Sequence, residues 1–324
     1  MSGQRVGRRV FLRGAGGATV ASVAAASVFA PSTTGQAQAA PRARKKSTAA
    51  TFRWFGTAGW RIDIGARTLL IDPYLSRYST GMFDGKFNPA TELTVDTETI
   101  DENVGKPETI LVTHSHWDHF NDVPYIAQKT GARALGTMTT YNLALACDVP
   151  SSQLSQVKGG EVLDFGAYTV EVVASLHSRN ASYSVAFPGV RLSRPEKPKT
   201  VGDLPEGDTL NFQVTLKDGP SVFFMGASDF VERNVTGLSP DIAMIAMQAS
   251  GSTYDYAERV ITALNRPSVI VPVHWDDFEV ELDNPPKPDP STKPHMDDFI
   301  ATVQKISPRT KVVVPEYLTP YQFG

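Results

Sequence analysis

The chain has 324 residues, 41% of them hydrophobic, a formal net charge of −3 and one cysteine, Cys147. That is enough apolar material for a sizeable core. A single cysteine excludes an internal disulfide, and the acidic balance leaves no electrostatic footprint for nucleic acid or an anionic membrane.

From the N-terminus, Gly7-Arg8-Arg9-Val10-Phe11-Leu12-Arg13 has the form of a twin-arginine export signal. A small-residue apolar run over 14–30 follows, then a stretch ending in Ala37-Gln38-Ala39. The run is too short and too rich in small residues for a good membrane span. No cysteine near the cleavage point offers a lipid anchor. Residues 1–40 are therefore read as a signal peptide, 41–50 as a linker and 51–324 as one domain. The basic run Arg42-Ala43-Arg44-Lys45-Lys46 is a solvated part of the linker. Export places the mature protein in the periplasmic, cell-wall or extracellular space. Losing Arg5, Arg8, Arg9 and Arg13, with no acid among residues 1–40, takes the net charge from −3 to −7. Cys147 is expected to be a small packed side chain.

In the domain, Trp60, Ile62 and Ile64 alternate with Arg61 and Asp63, which predicts a strand. Gly65-Ala66 then turns the chain into a second strand over 68–71 that ends at Asp72-Pro73. Thr109-Ile110-Leu111-Val112 reads as a buried strand. Further strands are predicted over 169–174, 211–216, 222–225, 242–247 and 269–273. Helices fit 121–129, 138–146, 255–264 and 296–306. Strands and helices mixed in this order indicate an α/β layered fold. The long segments 187–208 and 284–294 read equally well as lids or as rigid surface excursions.

The strand over 109–112 opens onto Thr113-His114-Ser115-His116-Trp117-Asp118-His119, which holds three of the six histidines. If the chain stays extended through His116, the two-residue period puts His114 and His116 on one side. Asp118 and His119 then point to a second spot nearby, so a two-metal site is the natural reading. Three more strands each lead to a metal-ligand type: 170–174 to His177, 222–225 to Asp229 and 270–273 to His274. Alone, such a histidine is more often a hydrogen-bonded core residue. Beside the cluster, metal ligation becomes the better reading. His295 follows no strand and reads as a surface or lid residue.

The segment His114, His116, Asp118, His119 meets the H-x-H-x-D-H signature in full, so the chain resembles the metallo-β-lactamase-fold superfamily. The branch it looks most like contains L-ascorbate-6-phosphate lactonase and N-acylphosphatidylethanolamine phospholipase D. That likeness rests on Trp54-Phe55-Gly56-Thr57-Ala58-Gly59, on Leu70-Ile71-Asp72-Pro73-Tyr74-Leu75 and on Pro272-Val273-His274-Trp275 with Phe278. It spans roughly residues 52–280. Two positions depart from it. Thr57 stands where many relatives have His, and Gly226-Ala227-Ser228-Asp229 lacks the Gly that relatives usually place directly before the Asp.

The resemblance implies a four-layer αββα sandwich. It implies one metal held by His114, His116 and His177, and a second held by Asp118, His119 and His274. Asp229 would bridge the two, Asp72 would orient the ligand loop, and Asp118 would act as the catalytic carboxylate. An all-N/O donor set suits two zinc ions without excluding iron or manganese. The implied activity is metal-dependent hydrolysis of a small ester, lactone or phosphodiester. A β-lactamase of this fold would carry Cys, Ser or another residue in place of Asp229 and would lack the Gly56–Tyr74 opening. A flavo-diiron reductase would have Glu where His116 stands. A mononuclear iron sulfur-dioxygenase is the alternative from another reaction class, told apart by iron content and oxygen uptake. A metal-stabilised binding protein without turnover is a weaker reading, since catalytic sites keep an open coordination position.

Overall fold

Alternating apolar residues fold the start of the domain into a meander. It comprises β1 (Ala50–Gly56), β2 (Gly59–Ile64) and β3 (Arg67–Ile71), paired antiparallel in the computed structural model, which describes residues 50–323. The expected signal peptide and nearly all of the linker lie outside the described residues. Strands β4 (Thr109–Leu111), β5 (Arg133–Gly136) and β6 (Leu154–Gln156) extend this sheet in parallel, in the order β1-β2-β3-β4-β5-β6.

The second sheet holds β7 (Val162–Asp164), β8 (Tyr168–Ala174), β9 (Leu210–Leu216), β10 (Ser221–Met225), β11 (Ile242–Ala246), β12 (Val269–Val273) and β13 (Lys311–Val312). Its order is the reverse of the sequence, from β13 to β7.

Side-chain alternation assigns the layers. Leu69, Ile71, Leu111 and Leu135 pack between the sheets with Phe212, Val214 and Phe224. Their neighbours Leu70, Ile110 and Ala134 point the other way. There they meet residues of α1 (Thr97–Asn103), α3 (Val123–Thr130) and α4 (Met138–Ala146); α2 (Trp117–Phe120) carries part of the histidine motif. After the short α5 (Glu232–Val235), α6 (Tyr256–Ala263) and α7 (Lys293–Ile306) cover the second sheet through Val260, Ile261, Phe299 and Val303. The result is the αββα sandwich. Among the described residues, no helix is long and apolar enough to cross a membrane.

Strand direction builds the site edge. β8 and β10 both run antiparallel to β9, and β11 and β12 run parallel to β10. The C-terminal ends of β8, β10 and β12 therefore share one edge, where His177, Asp229 and His274 follow. β3 and β4 are likewise parallel, which brings Asp72 and the histidine motif together.

Several elements differ from expectation. The strand before the motif stops at Leu111, and His116, itself in an extended conformation, becomes the N-cap of α2. The helix expected over 121–129 is α3, which starts at Val123 with Pro124 in its first turn, and the short α2 precedes it. α7 starts at Lys293, because Asp289 accepts from Ser291 N and from Thr292 Oγ1 at 2.7 Å and Pro294 suits a first turn. His295 thus sits in that turn, exposed. Strands β5, β6 and β7 were not anticipated, since Arg-Ala-Leu-Gly, Leu-Ser-Gln and Val-Leu-Asp are too short to show a period. Helix α1 buries only Ile100 and owes its start to Asp96, which caps Thr99 N at 3.0 Å.

Candidate metal centre

Six of the seven side chains singled out as ligands meet in two groups of three: His114, His116 and His177, and Asp118, His119 and His274. Within each group the donor atoms lie within 4.8 Å of one another. The ring centroids of His114 and His119, one from each group, are only 3.9 Å apart. The two groups are therefore neighbours in one buried site.

Four of the five imidazoles are held by a partner that decides which nitrogen faces the centre. His119 Nδ1 donates to Asp72 Oδ2 at 2.9 Å, leaving Nε2 free to ligate. Thr113 Oγ1 donates to the same Asp72 oxygen at 2.5 Å and lies 3.1 Å from His114 Nδ1, so His114 also presents Nε2. His177 Nδ1 donates to Ser178 O at 2.7 Å. His116 is turned the other way, because its Nε2 donates to Ala186 O at 2.9 Å and its Nδ1 is left inward. Asp72 is fully buried and also accepts from Thr113 N at 2.7 Å, so one carboxylate orients the start and the end of the motif.

Charge differs sharply between the groups. Burial, reinforced by the neighbouring imidazoles, pushes His114 well below the usual histidine range. Burial likewise takes His116 down to about 4 and His177 to about 3. These three rings are neutral, with lone pairs available. In the second group, burial opposes charge on His119, but Asp118 and Asp72 outweigh it and raise the ring to about 10. Burial would raise Asp118, yet His119 and His274 hold it well below the carboxylate range. Asp118 Oδ2 lies 3.3 Å from His119 Nε2 and 3.2 Å from His274 Nε2. A proton therefore stands where two carboxylates converge.

The donors fit a metal. His114 Nε2, His119 Nε2 and His274 Nδ1 are buried without a hydrogen-bond partner among the protein groups. A buried polar atom left unpaired is costly, and two of these three are nitrogens that face the centre.

Asp229 falls outside both groups. It is only partly buried, its Oδ1 accepts from Phe230 N at 2.8 Å, and its backbone pairs with Leu176, next to His177. The sequence pattern missed the supporting residues. Thr113 and Ser115 sit inside the motif, but nothing marks them as anchors. Gly226, which precedes Ala227 and Ser228, lets Thr113 approach: a Cβ there would lie 2.0 Å from Thr113 Oγ1.

The segment 187–208 is tied to the motif through its own main chain. Ser115 N donates to Glu206 O at 3.0 Å and Ser115 Oγ to Pro205 O at 2.5 Å. Thr137 Oγ1 donates to Gly207 O at 2.6 Å and Asn142 Nδ2 to Arg191 O at 2.7 Å. Phe187 packs its ring 6.1 Å from that of His116. Two cavities of about 450 and 330 Å³ adjoin the site, and His177 and Arg179 line both. Cys147 is half-buried at the far end of α4, its thiol pushed up to about 11 by burial, which keeps it unreactive.

The fold and this paired His/Asp site define a metal-dependent hydrolase of the metallo-β-lactamase fold. The family described as the beta-lactamase superfamily domain matches residues 51–274, and the chain belongs to it. A UPF0173 metal-dependent hydrolase from Pyrobaculum islandicum is 27% identical over 275 residues, covering 80% of this chain and 94% of its own. Among solved structures, a metallo hydrolase from Ignicoccus hospitalis superposes with a TM-score of 0.55 at 21% identity, over 86% of this chain and 99% of its own. A diiron beta-hydroxylase from Streptomyces venezuelae also gives 0.55, at 13% identity, over 86% of this chain and 55% of its own. Proteins of different chemistry share this fold, so the reaction has to be argued from the site.

Proposed function

We propose that the chain is an exported hydrolase that uses two divalent metal ions to cleave a small ester, lactone or phosphodiester. The observation that carries this reading is the pair of adjacent three-donor groups, His114/His116/His177 and Asp118/His119/His274. One group alone would suffice for a mononuclear centre. The second group, complete and in contact with the first, supports the dinuclear reading over the iron dioxygenase.

Bound ions supply Lewis acidity, making a hydroxide nucleophile available near neutral pH and polarising the oxygen of the scissile group. The protein's share is orientation and proton handling. Thr113, Ser178 and Ala186 fix the rings of the first group, and Asp72 fixes His119. Asp118 touches both imidazoles of its group through Oδ2, leaving Oδ1 to orient the attacking oxygen and take up its proton. Asp229 is the proposed bridge. Its place opposite Leu176 supports that role, and ligation would require it to release the Phe230 amide. Phe187 packs an apolar ring beside His116 at the edge of the site. The donor set suits zinc, with iron or manganese also compatible. Export rests on Arg8-Arg9 and the residues that follow them.

The test is metal analysis of purified protein together with a hydrolysis screen of phosphodiesters, lactones and β-lactams. About two equivalents and turnover of an ester, lactone or phosphodiester are expected, with both diminished in His116→Ala. A single iron with substrate-dependent oxygen uptake would overturn the proposal.

A further inference from the structure

His274 does not stand on its strand alone. It follows the end of β12 with φ +55°, and its backbone N donates to Thr57 O at 2.7 Å; Thr57 itself has φ +51°. Side-chain-bearing residues seldom hold that conformation unless their surroundings impose it. The restraint visible here is a buried polar cluster. Thr57 N donates to Asp276 Oδ1 at 2.9 Å, and Asp276 Oδ2 accepts from Arg77 Nη2 and from Tyr317 OH, both at 2.9 Å. Arg77 also donates through Nη2 to Asp277 O and Tyr317 OH, both at 2.9 Å, and through Nε to Val280 O at 2.7 Å. The guanidinium and the Asp276 carboxylate are almost wholly removed from solvent.

Two further observations show that this cluster is built into the chain. Gly56 lies against it, and a Cβ there would come within 2.0 Å of Arg77 Nη1 and 2.7 Å of Asp276 Oδ2. Tyr317 comes from the C-terminal segment, which returns to β1. Leu318 N donates to Trp54 O at 2.8 Å, and the Trp54 ring stacks on both Tyr317 and Trp275. Asp276 and Tyr317 both lie beyond the 51–274 segment that defines the family match.

We infer that Arg77, Asp276 and Tyr317 form a positioning relay that holds Thr57 against His274, and so governs metal binding at the Asp118/His119/His274 group without acting on the other group. This rests on the dinuclear reading proposed above. Its chemistry is simple. Removing the guanidinium leaves the buried Asp276 carboxylate without its counter-charge, held only by Tyr317 OH and Thr57 N, so the anchor of Thr57 shifts and with it the contact that fixes the His274 backbone.

The test titrates zinc into metal-free wild type, Arg77→Met and Tyr317→Phe against a chromophoric chelator, with folding followed by circular dichroism. In Arg77→Met the second equivalent should weaken about 10- to 100-fold, while the first keeps its wild-type affinity. Tyr317→Phe, which deletes one hydroxyl, should shift the second equivalent in the same direction by less. Should Arg77→Met not fold, Tyr317→Phe decides. Folded variants with both affinities unchanged, or with both lowered in parallel, would overturn the relay while leaving the dinuclear reading intact. A wild type that binds a single equivalent would overturn that reading and the relay with it.

Discussion

Titrating zinc into the metal-free protein at several pH values should give two binding events that answer differently to protons. The rings of the first group carry none near neutrality, because His116 and His177 are depressed to about 4 and 3 and His114 also lies well below its ordinary value. Their metal should bind without proton release above about pH 5. The second group must first surrender the proton that His119, raised to about 10, holds towards Asp118. At about pH 7.5 that gap of roughly 2.5 pH units, at 1.36 kcal/mol each, is a penalty of about 3 kcal/mol, or near 300-fold in affinity. The second affinity should therefore rise about tenfold per pH unit from neutrality and level off as pH passes 10. Calorimetry in two buffers of different ionisation enthalpy reads the proton count directly. About one proton should appear with the second equivalent and none with the first. Equal release at both steps, or none at either, would refute the electrostatic account of the site.

The same shifts set the stability of the metal-free fold. His119 is raised, so its contribution is full below about pH 6.5 and is lost as pH climbs through about 10. His116 and His177 are depressed, so their contribution is present above about 6.5 and is lost as pH falls towards 4 and 3. The melting temperature of the metal-free protein should fall on both sides of a maximum near pH 6.5, and a pH-independent profile would count against these assignments. Asp72→Asn should weaken the second metal by about 10- to 100-fold, since an amide donor would face His119 Nδ1–H and favour the wrong tautomer; unchanged affinity would remove Asp72 from the orienting role. Asp229→Asn should cost mainly the second equivalent, a neutral amide being a poorer bridge than a carboxylate, and full metal content with full turnover would exclude the bridge. Replacing Arg8 and Arg9 by Lys should retain the protein in the cytoplasm, as fractionation would show.

Much of the site's location was legible because its ligand types are concentrated. Residues 114–119 announce themselves in one segment, and His177 and His274 each follow an apolar strand. The strand and helix periods indicate an α/β layered fold, and the αββα arrangement is implied by the resemblance that the histidine motif and its companion segments carry. What one-dimensional reading missed lies in contacts between distant segments. Arg77 meets Asp276 across 199 positions and Tyr317 across 240, and no local pattern foretells such a pairing. Asp229 was identified by residue type at a strand end, yet type does not say where a carboxylate turns, and here it turns to the Phe230 amide. Strands β5, β6 and β7 escaped notice because three or four residues cannot display a period.

The anchoring of segment 187–208 bears on how this scaffold can change its specificity. Ser115, Thr137 and Asn142 grip the carbonyls of Pro205, Glu206, Gly207 and Arg191, not their side chains, and His116 grips the carbonyl of Ala186 just before the segment. A carbonyl is supplied by every amino acid, so the grip does not depend on which residues occupy those places, apart from Gly207, where a Cβ would collide with Thr139. Val190 and Leu192 face solvent from the same segment. Diversity can accumulate in this stretch, by natural drift or in a laboratory library, while the imidazoles behind it stay where they are.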